Sequence, residues 1–325
     1  MAEQAANILG QYGLTVEEVR KGRGHWIVYS NEGVFSLKEC RTGEEHLKLL
    51  RDLTDHIVQT AGTNVQQIIT TPEGALTVRD IDDTPYMLQT FCEGRECNIR
   101  DSREWEQAIR LLAQMHRGMQ FDAYGRIPLS SLDGEFCKRN RELRKIRRYL
   151  KEKRQKNEFE RILYNQYGCF LEQALKAEEE WLPYERIFAE ERKMWFCHGD
   201  YQYHNVWFGG DRTMILNLEG FLADAPCRDL YQFMRKILEK NNWDQRLGQE
   251  MLDIYERERE LPLEEKISLI YRFSYPEKFW KIANHYYNGK KSFTPGKSEE
   301  KLQKVFLQEE ARQSFIEDCL KAFIQ

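Results

Sequence analysis

Residues 197–220 read CHGDYQYHNVWFGGDRTMILNLEG, and the polar residues set in this otherwise apolar run decide how the chain is read. His198, Gly199, Asp200 and Asn205 form H-G-D-x4-N, a pattern that average residue usage produces in roughly one chain in a thousand of this length. A short loop thus carries one carboxylate and, five residues on, one carboxamide, between Met194-Trp195-Phe196 and Val206-Trp207-Phe208. Phosphoryl transfer needs such a pair. Asp200 can accept the proton of an attacking hydroxyl, and the Asn205 amide oxygen can ligate a Mg2+ that neutralises phosphates. A strand-like run, residues 213–218, then presents Asn217 and Glu219, which strand alternation puts on one face.

On these residues the chain resembles the aminoglycoside and choline kinase-like phosphotransferases, whose H-G-D-x4-N loop is followed by an apolar strand ending in I-D-x-E. The resemblance implies an α+β, bilobal, protein-kinase-like fold of the aminoglycoside phosphotransferase type. A small antiparallel-sheet lobe would span residues 1–93 and a large helical lobe 94–325. It also implies ATP and Mg2+ as cofactors, Asp200 as catalytic base, Asn205 as a metal ligand, and the main metal ligand at position 217. That position is Asn217 where the family has aspartate. An amide offers a hard cation one neutral oxygen, so metal binding should be weakened. His198 is expected to support the loop.

The first ninety residues read as a small sheet. Ala5, Ile8, Leu9 and Tyr12 fall at helical spacing, and residues 16–20, 25–29 and 34–39 are rich in β-branched and aromatic side chains. Residues 68–69, 75–79 and 85–91 bring the expected sheet to about five strands. KGRG, residues 21–24, offers Gly22 and Gly24 to lie over phosphates, with an ordinary hairpin turn as the alternative. Lys38, on the third strand, occupies the place where kinase-like folds keep a lysine for the α- and β-phosphates. Glu44 and Glu45 open the next helix; Glu45 is expected to pair with Lys38, and dipole matching at the helix start is the alternative. The resemblance places the lobe crossing near Gly94 and gives the backbone around Phe91 and Glu93 the task of holding adenine.

Beyond Gly94 the spacing predicts helices over residues 102–119, 138–156 and 163–181. His116 fits a structural histidine, since no serine and acid are spaced with it as in a hydrolase triad. Residues 138–156 are strongly basic, with Leu143, Ile146 and Leu150 at helical spacing, a pattern that suits a solvated face or a docking face. Asp229 resembles the family's buried aspartate that braces the loop; a first-turn acid is the alternative. The aromatic run 273–293 suits core packing, or an acceptor pocket lined by His285, Tyr286 and Tyr287. The basic helix, HGDYQYHN, and the tail PEKFWKIANHYYN followed by EKLQKVF together resemble CotS-type spore coat proteins, a branch of the same superfamily. That likeness implies synthesis in the mother cell, deposition on the spore, and other coat proteins as partners.

Composition narrows the remaining classes. The net charge of −4 on 325 residues, 31 % of them charged, gives no global bias toward nucleic acid or anionic lipid. No apolar run reaches the roughly 18 residues of a membrane span, and the start lacks a basic and apolar leader, so a cytoplasmic origin is expected. The eight cysteines are scattered without a C-x2-C pair and read as reduced thiols. Two functions fit: a kinase transferring phosphate from ATP to a small-molecule hydroxyl, or a catalytically impaired pseudokinase serving as a structural coat component.

Overall fold

The computed structural model describes residues 2–120, 127–188, 195–210, 212–288 and 295–320. Their contacts divide the chain into two compact units. The first joins residues 1–126 to 196–221; the second joins 127–195 to 222–325.

The first unit opens with helix α1 (Ala2–Gly10), followed by strands β1 (Val16–Lys21), β2 (Trp26–Ser30) and β3 (Gly33–Glu39). Helix α2 (Glu44–Ala61) comes next, then β4 (Ile68–Ile69), β5 (Val78–Arg79) and β6 (Pro85–Thr90). These six strands form one antiparallel sheet in the order β1-β2-β3-β6-β4, with β5 on the end of β6. The sequence pattern anticipated about five. Ala5, Ile8, Leu9 and Tyr12 of the N-terminal segment bury against Val28, Leu37 and Leu88 of the sheet, each large aliphatic side chain contributing about 1.5–3 kcal/mol. Helix α2 buries Leu47, Leu50, Leu53 and Ile57, the stripe its 3–4 spacing dictates, and ends where left-handed Gly62 donates its N–H to the Val58 carbonyl.

The unit continues through β7 (Gly94–Glu96), α3 (Ser102–Arg117), β8 (Phe196–Cys197), β9 (Val206–Gly209) and β10 (Thr213–Ile215). Strands β10, β9 and β7 make a second antiparallel sheet. Gly94, the expected lobe boundary, starts β7 and pairs with Gly209. Residues 64–66 clasp β10: the Ile215 N–H donates to the Asn64 carbonyl at 2.9 Å, and the Gln66 N–H donates to the Ile215 carbonyl at 2.8 Å.

Among its described residues the second unit is helical apart from β11 (Leu222–Ala223), which bridges to Leu129. Its helices are α4 (Leu132–Glu152), α5 (Glu158–Phe188), α6 (Cys227–Leu238), α7 (Gln245–Glu258), α8 (Leu263–Ser274), α9 (Glu277–Asn288), α10 (Pro295–Leu307) and α11 (Glu309–Ser314). Ser131 caps α4 by accepting the Gly134 N–H at 2.9 Å, worth about 1 kcal/mol. Leu143, Ile146 and Leu150 of α4 bury against Phe159, Leu163, Tyr167 and Phe170 of α5 and Phe279 of α9. Pro262 and Pro276 precede α8 and α9, as their missing N–H groups require. Among the described residues, no helix is long and apolar enough to cross a membrane.

Candidate functional site

Lys38, His46, Gln89, the 198–205 loop and residues 215–220 lie in the first unit. The loop between β8 and β9 ends in a tight turn, Tyr203–Asn205, that points Asn205 inward, 2 % exposed. His198 is fully buried and ties the loop to the segment after β10. Its Nδ1 accepts the Asp200 N–H at 3.2 Å, which leaves the proton on Nε2 to donate to the Leu216 carbonyl at 2.8 Å. The supporting role expected of His198 thus has a geometry.

Strand β10 stops at Ile215, three residues short of the strand-like run 213–218. Asn217 takes the left-handed conformation, φ 61° and ψ 47°, which short polar side chains tolerate and β-branched ones do not. A turn over Leu218–Gly220 follows. The alternation argument for Asn217 and Glu219 is therefore corrected: the reversal at Asn217, not a strand face, brings Glu219 round to Lys38.

Lys38 on β3 has two partners. Its Nζ lies 2.6 Å from Glu219 Oε1 and donates to Asn217 Oδ1 at 2.9 Å. The expected pairing of Lys38 with Glu45 is thereby overturned. Glu44 and Glu45 stand exposed on the outer face of α2 and share Lys48 at 3.1 and 3.0 Å. A helix turns about 100° per residue, so it is His46 that faces inward, its Nε2 2.9 Å from the Glu219 carbonyl. Gln89 of β6 donates to Glu219 Oε1 at 2.8 Å. Burial pushes the Glu219 carboxyl up, but the adjoining Lys38 ammonium outweighs this and holds it below its ordinary value. Sequence reasoning missed Gln89 and His46; a glutamine in the otherwise apolar Tyr86-Met87-Leu88 strand was the one available signal.

From Lys38 the hydrogen bonds run on without a break. Asn217 Nδ2 donates to Asn205 Oδ1 at 2.9 Å, and Asn205 Nδ2 donates to the Asp200 carbonyl at 2.8 Å. Four of the sequence-derived residues, Lys38, Asn217, Asn205 and Asp200, are thus brought into one chain. The Asp200 carboxylate is 57 % exposed and open to a ligand, with Gln202 Nε2 at 2.6 Å and His204 Nε2 at 3.9 Å.

The end where a nucleotide is expected is less polar. Gly22 closes the β1–β2 hairpin through its N–H to the His25 carbonyl, 2.9 Å, and Gly24 sits at φ 78°. His25 folds beneath Gly22 and meets the Phe91 ring edge-on at 5.3 Å. Phe91 is buried with Met214 and Leu216, and Trp207 packs against them and donates its indole N–H to the Cys92 carbonyl at 3.0 Å. Glu93 is exposed. Asp229 belongs to the second unit, buried in the first turn of α6, whose N-cap is Pro226. Tyr286 and Tyr287, also there, turn their hydroxyls to Glu160 and pack on the helical core, while His285 is exposed.

The donor set tests whether a divalent cation suits the site. Among the described residues no three His, Cys, Asp or Glu side chains gather to hold a metal. The oxygens of Asn217 and Asn205 already accept N–H groups, and Glu219 is matched by Lys38. That leaves Asp200 as the one carboxylate for a cation that prefers several anionic oxygens. The residues present do not fit Mg2+.

Fold and site together define a member of the kinase-like phosphotransferase superfamily. Residues 5–319 match the sequence profile of the family described as Spore coat putative kinase YutH, and the chain belongs to that family. Its fold is that of the aminoglycoside phosphotransferases. It is similar to an aminoglycoside phosphotransferase from Alicyclobacillus acidocaldarius, with TM-score 0.85 and 20 % identity over 98 % of this chain and 95 % of that one. Spectinomycin phosphotransferase APH(9)-Ia, in an AMP-bound complex, gives 0.64 and 13 % over 93 % and 94 %. Choline kinase from Cryptosporidium parvum Iowa II gives 0.56 and 13 % over 96 % and 93 %. No curated protein matches the chain.

Proposed function

We propose that this chain is a nucleotide-binding, kinase-like protein of the spore coat in which phosphoryl transfer is strongly attenuated. The observation that carries the reading is the hydrogen-bonded chain from Lys38 through Asn217 and Asn205 to Asp200, with Lys38 anchored on Glu219. An ammonium held by a carboxylate and a carboxamide is set to meet phosphate oxygens. Gly22 and Gly24 lie over the phosphates, and the backbone from Phe91 to Glu93 flanks the base. ATP is the expected nucleotide; the spectinomycin phosphotransferase is described with AMP bound. What is attenuated is charge neutralisation: transfer needs the growing charge on the phosphoryl oxygens met by cations, and the carboxamide at 217 stands where the resemblance expects the aspartate that would hold one.

A second reading, an active kinase for a small-molecule hydroxyl, is favoured by the exposed Asp200 carboxylate, which can accept the acceptor's proton. Coat partners would dock on the exposed basic face of α4, where Arg144, Lys145, Arg148 and Lys151 make no ion pair among the described residues.

Melting and turnover separate the readings. ATP at a hundred times its dissociation constant should stabilise the protein by about 2.7 kcal/mol, a shift of a few degrees. Turnover with Mg2+ across a panel of alcohols and amino alcohols should fall far below the roughly 1–100 s⁻¹ of working kinases, and Asn217→Asp should raise it. Turnover of the wild type inside that range would establish the enzyme reading, and no stabilisation by any nucleotide would leave a scaffold alone.

A further inference from the structure

The orientation of the Asn217 carboxamide is dictated by its neighbour. The Lys38 ammonium has hydrogens to give and no lone pair to accept with, so only the Asn217 oxygen can face it, at 2.9 Å. The Asn217 NH2 must then face Asn205 Oδ1, also at 2.9 Å. Turning Asn205 round would set NH2 against NH2 and would aim its oxygen at the Asp200 carbonyl, where its NH2 now donates at 2.8 Å. The polarity of the whole chain is therefore set at Lys38.

An aspartate at 217 would present two oxygens, one to Lys38 and one to Asn205 Oδ1, and two facing oxygens call for a cation between them. Asparagine supplies an N–H in place of that demand. A divalent ion entering here would break the Asn217–Asn205 bond and gain no anionic ligand beyond Asp200 for doing so.

The charge of a nucleotide must then be met by the protein. Lys38 uses one hydrogen on Glu219 and one on Asn217, which leaves a third. The β1–β2 turn carries one more cation. Arg23 is 70 % exposed and lightly held by Glu96 at 3.1 Å. Glu96 lies on β7, and the next residue, Cys97, donates its N–H to the Tyr203 and Val206 carbonyls at 3.2 and 2.9 Å, so Arg23 is held beside the end of the Asp200 loop. The Arg23 charge thus stands beside the same loop that the carboxamide chain reaches.

We propose that this site takes nucleoside phosphates as uncomplexed anions, with Lys38 and Arg23 meeting the charge that a divalent cation would otherwise neutralise. The inference rests on the nucleotide-binding reading above and specifies the form of the ligand.

Calorimetric titration of the full chain with ATP tests it, in EDTA and in excess Mg2+ at matched ionic strength, because surface charges are screened by salt. The wild-type dissociation constants in the two buffers should agree within about threefold, and Arg23→Gln should weaken binding in EDTA by about the same factor, the scale of one exposed ionic contact. Asn217→Asp should bind at least about tenfold more weakly in EDTA than in Mg2+, a difference of about 1.4 kcal/mol. Wild-type binding that appears only with Mg2+ overturns the inference and leaves the nucleotide-binding reading standing. Absence of binding in both buffers removes both. The wild-type comparison involves no variant, so a misfolded substitution does not rescue the idea.

Discussion

Glu219 and Lys38 lose most of their water, with side chains 19 % and 14 % exposed and charged atoms 2.6 Å apart. A pair in this position is costly to break from one side, because the survivor keeps its desolvation cost without its partner. Glu219→Gln should therefore destabilise the protein by about 2–3 kcal/mol near neutral pH. The pH dependence has a definite sign. The folded carboxyl titrates below its ordinary value of 4.5, so its contribution is present above that pH and is lost as pH falls through the folded value. Denaturant titrations at pH 7 and near pH 3.5 should show wild type and variant converging in acid. A gap that stays constant across that range would mean Glu219 acts through packing and not through charge.

At the scale of elements, β7 and β9 show how close the backbone of the site is drawn. A Cβ on Gly94 would run into the Phe208 carbonyl oxygen, a backbone atom with little room to move. Gly94→Ala should part the two strands, loosen the Trp207 contact to the Cys92 carbonyl, and cost about 1–3 kcal/mol, as overpacking does; an unchanged melting temperature would contradict this. Local pattern made these elements legible: the hydrophobic stripes of α2 and α4, the alternating strands, and the prolines before α8 and α9 sit close to where their spacing put them. What escaped depended on geometry that spacing does not encode. Asn217 carries its left-handed turn by itself, so a strand extrapolated through it put Glu219 on the side of Asn217 for the wrong reason: both meet Lys38 through the turn and not through alternation. The acid for Lys38 was sought at the start of α2, but the partner comes from 181 residues further on, while α2 contributes His46 instead. The motif Asp200 and Asn205 was readable because both sit in one loop; Gln89 and Gln66 were not, since each acquires meaning only once β6 and the 64–66 segment lie beside residues 217–219.

For the whole molecule, the decisive feature is that the first unit is assembled from two stretches, 1–126 and 196–221, with the helices α4 and α5 between them in sequence. Lys38 and Asn217 are 179 residues apart along the chain, so fixing them together depends on the later stretch returning to pair β9 with β7 and to lay β10 beside residues 64–66. A ligand that bridges the two stretches should tighten both at once. Protection of backbone N–H groups from exchange measures local opening, and binding at the proposed site should deepen it in three separate segments: the 21–25 turn, the 198–205 loop and residues 215–220. Helix α4, whose exposed basic face lies in the second unit, should exchange as before. Hydrogen exchange with and without ATP in EDTA distinguishes this from capture of the nucleotide by the basic helix, in which case protection would fall on residues 138–152 and the three segments would be unchanged. The latter pattern would detach the H-G-D-x4-N loop from nucleotide altogether, since a polyanion held by Arg144, Arg148 and Lys151 has no need of Asn217 or Lys38.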